Sequence, residues 1–304
     1  MKVLLFGAGG QVGWELQRSL APLGELIALD HRSAGLHSSA YGRLCGNLGD
    51  LQGLMETVQK VRPDVIVNAA AHTAVDKAES EAALAHSLNA LAPGVLAQEA
   101  ARLGALLVHY STDYVFDGSG TQPWREDDAT GPLSVYGQTK LDGERLIQVA
   151  CPNHLIFRTS WVYAARGGNF AKTMLRLGQE RECLSVIDDQ FGAPTGADLL
   201  ADVTAHAIRQ ARQRPQDAGL YHLVAGGETT WNGYAKYVLG QAKQASPAIN
   251  IKAVEVAAVA TSAFPTPARR PHNSRLDTSR LQATFGLSLP NWQLGVARML
   301  TEIL

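Results

Sequence analysis

Short apolar runs alternate with amphipathic segments through the first half of the chain. The runs Lys2–Phe6, 25–30, 63–71 and 105–110 have the length and composition of buried strands, and helix-type periodicity follows each of them in turn. Strands that alternate with helices indicate a parallel sheet covered on both faces. The sequence therefore predicts an α/β fold built on a doubly wound parallel sheet.

The second half continues the pattern less regularly. A helix is predicted from Ser134, its N-cap, and a strand over residues 154–163, followed by helices over 170–181, 198–213 and 231–245 and a strand over 221–225. From about residue 166 the chain has more Pro, Thr and Ser. We therefore predict a first domain over 1–165 and a smaller mixed α/β domain over 166–304, interleaved with the first.

A glycine-rich turn joins the first predicted strand to the first predicted helix. Gly7, Gly10 and Gly13 have the G-x-x-G-x-x-G spacing, in the strand–turn–helix context that a dinucleotide site requires. The glycines permit a tight turn and a close approach of the backbone to a pyrophosphate, which then lies at the helix N-terminus. This pattern predicts a Rossmann-type dinucleotide-binding half.

Two residues, one that ends the second predicted strand and one just beyond it, bear on the choice of cofactor. Asp30 stands about 20 residues beyond the glycine turn, where a carboxylate binds the ribose hydroxyls of NAD. Arg32 follows it, and a guanidinium there suits the 2′-phosphate of NADP. We therefore predict that both NADH and NADPH are used.

Candidate chemistry is concentrated between residues 109 and 140. Thr112 follows a buried strand, and Tyr136 and Lys140 are four residues apart on a predicted helix, so their side chains share one face. A lysine ammonium beside a phenol, joined by an oxidised nicotinamide, lowers the pKa of the phenol. The pair is expected to form a proton donor that works near neutral pH.

Composition and charge exclude several classes. The net charge is −1 and no basic run occurs, so a nucleic-acid partner is not expected. No apolar run reaches the length of a membrane span, and no signal peptide is evident before the first strand. Three cysteines, odd in number and without a CxxC pair, are expected to be reduced, partly buried thiols of a cytoplasmic protein.

These motifs together resemble the extended short-chain dehydrogenase/reductases, and more narrowly the members that act on dTDP-4-keto-6-deoxy sugars. The resemblance covers nearly the whole chain, through GAGGQVG, NAAAHTAVDKAE, STDYVFDG, VYGQTK, RTSWVY, DQFGAPT and PARRPHNSRL. It implies reduction of the C4 keto group of dTDP-4-dehydro-L-rhamnose to dTDP-L-rhamnose, with hydride from NADPH or NADH.

The resemblance also implies roles for individual residues. Tyr136 would be the proton donor, Lys140 its partner and a ligand of the nicotinamide ribose, and Thr112 the group that holds the reacting carbonyl. Further cofactor contacts would come from Gly10, Gln11, Val12, Asp30, Asn47, Leu48, Ala71, His72 and Thr73. Sugar-side contacts would come from Val75, Asp113 and Trp161.

Two further predictions concern a metal site at a dimer interface, which the resemblance implies, and a diphosphate contact in a proline-rich loop. Some members are homodimers that hold Mg²⁺ through acidic side chains at the interface, and Glu15, Asp198 and Glu302 are acidic at the matching positions. Arg270 belongs to an arginine pair between prolines, a setting that suits capture of the substrate's diphosphate, although solvated arginines are equally common in such loops.

Other functions on the same fold remain open. Related dehydratases place an Asp-Glu pair after the threonine, whereas this chain has Asp113 and Tyr114 there. An epimerase differs in letting the keto sugar rotate, which no residue pattern reveals. A non-catalytic regulatory subunit that binds a dinucleotide is a third reading, since fold alone does not establish catalysis.

Overall fold

The computed structural model describes residues 1–31, 36–38, 41–245 and 249–304, with only the backbone at 36–38. The strands in chain order are β1 Lys2–Phe6, β2 Glu25–Leu29, β3 Leu36–Ser38, β4 Gly42–Leu44, β5 Val65–Asn68, β6 Leu106–Thr112, β7 His154–Thr159, β8 Val162–Tyr163, β9 Cys183–Ile187, β10 Phe191–Gly192, β11 Thr195–Gly196, β12 Gly219–His222, β13 Thr229–Thr230 and β14 Glu255–Val259.

Helices cover the sheet and build most of the second half. They are α1 Gln11–Leu20, α2 Leu51–Val61, α3 Val75–Ala78, α4 Ala82–His86, α5 Ala92–Leu103, α6 Val135–Ala150, α7 Phe170–Glu180, α8 Ala197–Gln213, α9 Trp231–Gln244, α10 Ser279–Phe285 and α11 Trp292–Ile303. A π-helical turn, Ser87–Leu91, joins α4 to α5. Within the described ranges no helix is long and apolar enough to cross a membrane.

The predicted doubly wound parallel sheet is confirmed. Its six strands lie in the order β12-β7-β6-β5-β1-β2, and every neighbouring pair is parallel. The chain reverses its direction of winding between β1 and β5, so the carboxyl ends of these strands open onto a crevice. Two hydrophobic clusters pack the faces of the sheet, one through α1 and α8 and the other through α2 and α5.

The edge strand β12 joins this sheet from beyond residue 166, and α8 packs on the same face as α1. A separate cluster, in which α7, α9 and α11 pack around Tyr234, forms the core of the second half. The strand predicted over residues 221–225 begins earlier, at Gly219, and ends at His222. A division at residue 165 with interleaved segments stays a prediction.

Two local predictions need correction. The strand predicted over 154–163 is interrupted, because Trp161 has a φ of +50° that ends one strand and starts a separate pairing with β11. The three cysteines are free, but Cys183 is exposed and only Cys151 is buried, since β9 lies at the surface of the second half.

Candidate active site

The glycine turn forms a backbone cradle at the carboxyl end of β1. Gly7 has a φ of +87°, which favours glycine, and a Cβ there would collide with the backbone of Ala69 and Ala70. A Cβ at Gly13 would strike the carbonyl oxygen of Gly7, so helix and turn pack without side chains between them. Gly10 is the N-cap of α1 and provides no side-chain cap. The first amides of α1 therefore suit a pyrophosphate.

Two residues of the first turn of α1 extend the cradle. Gln11 buries a side-chain oxygen that has no hydrogen-bond partner among the described residues, and this side chain lies beside Gly167. Val12 is half-buried and packs against the core of the sheet. The unpartnered acceptor of Gln11 and the backbone cradle of the glycine turn fit a dinucleotide, so the residues present suit the cofactor that the sequence predicts.

The two residues that bear on cofactor choice differ in what the structure shows. Asp30 follows β2 directly, and its carboxylate lies so close to Gly9 that a Cβ on Gly9 would be 2.9 Å from Oδ2. The carboxylate therefore borders the glycine turn, as a ribose-binding acid does. Arg32 lies outside the described residues.

Asn47 and Leu48, two further predicted cofactor contacts, differ in exposure. Leu48 is 5% exposed and packs in the hydrophobic cluster beneath α2, so its side chain cannot reach a cofactor at the surface. Asn47 is exposed, and its Oδ1 accepts a hydrogen bond from the Gly49 amide. The Leu48 side chain is stabilised by this burial, so the predicted cofactor contact at Leu48, which stays a prediction, would have to come from its backbone.

His72 is part of a buried polar network. Its Nε2 lies 2.9 Å from Glu81 Oε2, and Asn89 binds both its backbone amide and its carbonyl. The neighbouring Ala71 and Thr73 lie at the end of β5, where Thr73 is exposed. The backbone of His72 is therefore held by Asn89, and its side chain by Glu81, with Nδ1 left without a hydrogen-bond partner among the described residues.

Thr112, Asp113 and Tyr136 meet at the carboxyl end of β6. The Thr112 hydroxyl donates to Asp113 Oδ1 over 3.1 Å and also hydrogen-bonds the phenol of Tyr136. The ring of Tyr136 packs edge-on against Tyr114, with centroids 5.5 Å apart. Ser134 caps α6 by accepting from the Gly137 amide, which places Tyr136 in the first turn. A phenol and a hydroxyl thus face one point at the sheet edge.

Lys140 lies one turn further along α6 and is 2% exposed. Its Nζ donates to the Tyr110 carbonyl oxygen over 2.6 Å and lies 3.0 Å from Nε2 of His109. Burial lowers the pKa of Lys140 to about 8, and the carboxylate of Glu144 opposes this shift. The ammonium is therefore the form present at neutral pH, and it loses its proton just above.

Among the groups of the chain itself, Lys140 does not lower the pKa of Tyr136, and its predicted effect together with an oxidised nicotinamide stays a prediction. Burial raises the pKa of Tyr136, and the hydrogen bond with Thr112 opposes the rise without cancelling it. The lysine amine is turned toward His109 and the Tyr110 carbonyl. A raised pKa keeps the phenol protonated across the neutral range, which is the form that a proton donor needs.

Asp113 is a buried carboxyl group with an unpartnered oxygen. Burial raises its pKa to about 6, while hydrogen bonds with Ser274 and Thr112 oppose the rise. Its Oδ2 has no hydrogen-bond partner among the described residues. Such an acceptor beside Thr112 is available to a hydroxyl of a bound sugar.

Trp161 projects from the break between β7 and β8 in a left-handed backbone conformation, which is uncommon for a bulky residue. Its ring stacks on Trp231, with centroids 3.7 Å apart, and covers Gly192. Val75, the first residue of α3, is half-buried. An indole held at a strained position is typical of a ligand contact.

Arg270 reaches across from the C-terminal half to the loop after β5. Its Nη2 lies 2.7 Å from Asp76 Oδ2, and its Nη1 lies 3.5 Å from the Tyr114 hydroxyl. The guanidinium is thus held near Tyr114 and Tyr136, whereas Arg269 is exposed. Of the arginine pair, only Arg270 is placed beside the candidate site.

Glu15, Asp198 and Glu302 do not form a metal centre. The three carboxylates are near enough for Asp198 and Glu302 to raise the pKa of Glu15, although burial contributes more. Arg298 lies between two of them, 3.6 Å from Asp198 and 3.7 Å from Glu302. In the part of the chain that the structure describes, no group of three acidic, His or Cys side chains could hold a metal. Arg298 pairs with two of the three carboxylates, so within one chain they do not form a Mg²⁺ site.

Sequence reasoning missed Asn68 and His109, which connect to Lys140. Asn68 Nδ2 lies 3.1 Å from His109 Nδ1, and both side chains are buried within the sheet. The available signal was a polar residue inside each of two apolar strand patterns, where an unpaired polar group is unfavourable.

Comparison with known proteins agrees with this geometry. The family model "RmlD substrate binding domain" matches residues 1–304. A dTDP-4-dehydrorhamnose reductase of Shigella flexneri is 62% identical over 303 residues, covering 100% of this chain and 98% of the relative. The reductase of Escherichia coli K12 is 60% identical with the same coverage.

A solved structure extends the comparison to the cofactor. The dTDP-4-dehydrorhamnose reductase of Bacillus anthracis, in complex with NADP, is 33% identical and superposes with a TM-score of 0.87, covering 99% of both chains. Nicotinamide dinucleotide binding therefore belongs to this fold and agrees with the glycine cradle. The chain belongs to the dTDP-4-dehydrorhamnose reductase family, a family of oxidoreductases.

Proposed function

We propose that the chain reduces the C4 keto group of dTDP-4-dehydro-L-rhamnose to dTDP-L-rhamnose, with Tyr136 as the proton donor. One observation carries the proposal: the Tyr136 phenol, protonated and bonded to Thr112, lies at the carboxyl edge of the sheet that also holds the glycine cradle. The names of close relatives support the substrate.

Reduced nicotinamide supplies the hydride when it is bound. The chain's own contribution is to hold the keto oxygen beside the Tyr136 phenol and the Thr112 hydroxyl. Thr112 turns its one proton from Asp113 to this oxygen, so that negative charge there meets two donors. Tyr136 transfers its phenolic proton to the oxygen. Lys140, charged below a pH of about 8, stabilises the phenolate that remains.

The remaining residues bind the cofactor and the substrate away from the reacting atoms. Asp30 and the glycine turn hold the adenosine ribose and pyrophosphate of NADH or NADPH, and His72 keeps the loop after β5 in place. Arg270 takes the substrate diphosphate, and Asp113 accepts from a sugar hydroxyl beside Trp161. These assignments rest on position and charge.

Assembly and location belong to the same proposal. We infer a homodimer in the cytoplasm from the resemblance to other extended short-chain reductases, without a Mg²⁺ site because Arg298 occupies the acidic cluster. Sedimentation with and without a chelator tests both statements. A metal-dependent dimer would contradict the second.

Turnover with defined substrates tests the function. We expect oxidation of NADPH and of NADH when dTDP-4-dehydro-L-rhamnose is supplied, with dTDP-L-rhamnose as the product. Interconversion of C4 epimers of a dTDP-sugar without net oxidation of the dinucleotide would instead indicate an epimerase, and loss of water a dehydratase. Dinucleotide binding without any turnover would support the regulatory reading.

A further inference from the structure

Three polar side chains form a continuous buried line beneath the candidate catalytic pair. Asn68 on β5 is 1% exposed, His109 on β6 is 1% exposed and Lys140 on α6 is 2% exposed. Nδ2 of Asn68 lies 3.1 Å from His109 Nδ1, and His109 Nε2 lies 3.0 Å from Lys140 Nζ. Because these atoms are shielded from solvent, each proton among them must point at an acceptor.

A backbone amide fixes the orientation of the Asn68 side chain. The Ala70 N–H can only donate, and it lies 3.1 Å from Asn68 Oδ1. The atom nearest to Ala70 must therefore be the amide oxygen, which leaves the NH₂ group facing His109. Nδ1 of His109 consequently accepts a hydrogen bond and carries no proton.

The proton count then determines the form of Lys140 that fits. A neutral imidazole has one proton, and with Nδ1 as acceptor that proton is on Nε2, facing Lys140 Nζ. An ammonium has three donors and no acceptor. A neutral amine, however, accepts from His109 with its lone pair and donates to the Tyr110 carbonyl oxygen at 2.6 Å. The arrangement therefore fits the neutral amine, the form that predominates above a pH of about 8.

We propose that Asn68 and His109 are positioning residues that set the protonation state of Lys140 through the tautomer of His109. The proposal rests on the proposed function, because it names the groups that control the charge beside Tyr136. When the pair takes up one proton, Lys140 becomes an ammonium that donates to Nε2. His109 then carries its proton on Nδ1, and the Asn68 amide must turn its oxygen toward it, giving up the bond with Ala70.

The surrounding charges agree with this coupling. Burial lowers the pKa of Lys140 to about 8, and only Glu144, one turn further on α6 and bonded to Arg158, opposes the shift. Burial and Lys140 hold the pKa of His109 well below its usual value, so His109 stays neutral and changes only its tautomer. The loss of activity at high pH should then follow deprotonation of Lys140, because the pKa of Tyr136 is raised and its phenol stays protonated there.

The tautomer of His109 can be measured directly in the cofactor-free protein. Long-range ¹H–¹⁵N spectra of protein with ¹⁵N-labelled histidine distinguish the two tautomers, and His109→Gln assigns the signal by its loss. We expect the Nε2–H form above a pH of about 8 and the Nδ1–H form below it. His154 is an internal control, because its Nδ1 donates to the Cys151 carbonyl oxygen and should keep one tautomer throughout.

An isosteric variant provides the second arm. In Asn68→Asp one carboxylate oxygen still accepts from Ala70 and the other accepts from His109, which holds the proton on Nδ1 and favours the ammonium. We expect His109 to keep the Nδ1–H tautomer at every pH. In single-turnover measurements, the loss of activity at high pH should move up by about one pH unit or more. A merely structural role for Asn68 would change the rate without shifting this pH dependence.

The outcomes separate this inference from the proposed function. A wild-type His109 signal that keeps one tautomer from pH 6.5 to 9.5 overturns the inference, whether or not the variant folds. An unchanged tautomer pattern in Asn68→Asp overturns it as well. If the wild-type protein fails to reduce the keto sugar, the proposed function is wrong. The titration of the His109 tautomer would still decide whether Asn68 and His109 set the protonation state of Lys140.

Discussion

Arg270 and Asp76, separated by 194 residues in the chain, form an ion pair with an N–O distance of 2.7 Å. The pair joins the proline-rich loop of the second half to the short helix α3 that follows β5. It holds the Arg270 guanidinium partly exposed beside Tyr114, at the entrance to the candidate site. This contact therefore brings a cation from the second half to the catalytic edge of the first.

Removal of this cation should weaken binding of the nucleotide diphosphate. We expect Arg270→Ala to raise the Kd for dTDP and for dTDP-sugar by about 10- to 100-fold, the range of a lost charge-assisted hydrogen bond. Isothermal titration measures both. Arg269→Ala is the matched control, because that neighbouring side chain is exposed. Equal, small effects of the two variants would place the diphosphate elsewhere.

Cofactor choice should respond to residues 30 and 32. If Arg32 binds the 2′-phosphate, Arg32→Ala raises KM for NADPH and leaves NADH nearly unchanged, with a loss of about 1.5–3 kcal/mol in kcat/KM. Asp30→Ala should act mainly on NADH. Arg43→Ala, at an exposed arginine of β4, serves as the control. Equal losses with both cofactors in Arg32→Ala would mean that this arginine points away from the ribose.

The buried carboxyl group of Asp113 should lower stability in the neutral range. Its folded pKa of about 6 is above the usual 3.8, so its ionised form is disfavoured by folding and stability falls as pH rises between these values. Asp113→Asn should therefore be more stable at pH 7.5 by about 3 kcal/mol, with the gain fading toward pH 4. Denaturant unfolding across this range measures it.

The same substitution should reduce binding of the sugar, because an amide is a weaker acceptor than a carboxylate.

The control for the stability measurement is Asp127→Asn, at a side chain 95% exposed, where we expect the free energy of unfolding to change by less than about 0.5 kcal/mol at any pH. A pH-independent effect of Asp113→Asn would show that the carboxyl group is not the titrating source of the instability.

The buried ion pair between Arg158 and Glu144 should be essential to the fold. Two hydrogen bonds of 2.9 and 2.7 Å join them, and the side chains are 5% and 1% exposed. Glu144→Ala leaves a buried guanidinium unpaired, so we expect a loss of about 3–5 kcal/mol in the free energy of unfolding. Glu180→Ala, which breaks an exposed pair with Arg176, should cost about 1 kcal/mol or less. Similar losses would contradict this reading.

Local patterns were sufficient for much of this fold. Strands with apolar runs, the glycine turn and the Ser134 cap are set by residues near one another in the chain, and the structure has each of them. The break at Trp161 was missed, because a left-handed tryptophan depends on packing against Trp231, 70 residues later. Local sequence does not encode such a contact.

The electrostatics of the site were less predictable. A shared helix face suggested that Lys140 lowers the pKa of Tyr136, whereas the amine is engaged by His109, 31 residues earlier. Burial, which depends on the whole fold, sets the direction of both pKa shifts. In the same way, Leu48 matched a cofactor-contact stretch but its side chain is part of the core.

The central claim is that Tyr136 gives the proton to the keto oxygen. Tyr136→Phe removes one hydroxyl and keeps the ring against Tyr114, so the variant should fold and should bind NADPH as the wild type does. Tyr114→Phe is the matched control, since it removes a neighbouring phenol that lies 3.5 Å from Arg270 and is not assigned to proton transfer. We expect it to lose less than about tenfold in rate.

Single-turnover hydride transfer from NADPH to dTDP-4-dehydro-L-rhamnose, followed by loss of nicotinamide absorbance, is the most direct measurement. It reports the chemical step separately from product release. The account predicts that Tyr136→Phe slows this step by about 10²- to 10⁴-fold, the usual contribution of a positioned general acid. Transfer in Tyr136→Phe at close to the wild-type rate, with NADPH binding intact, would contradict it.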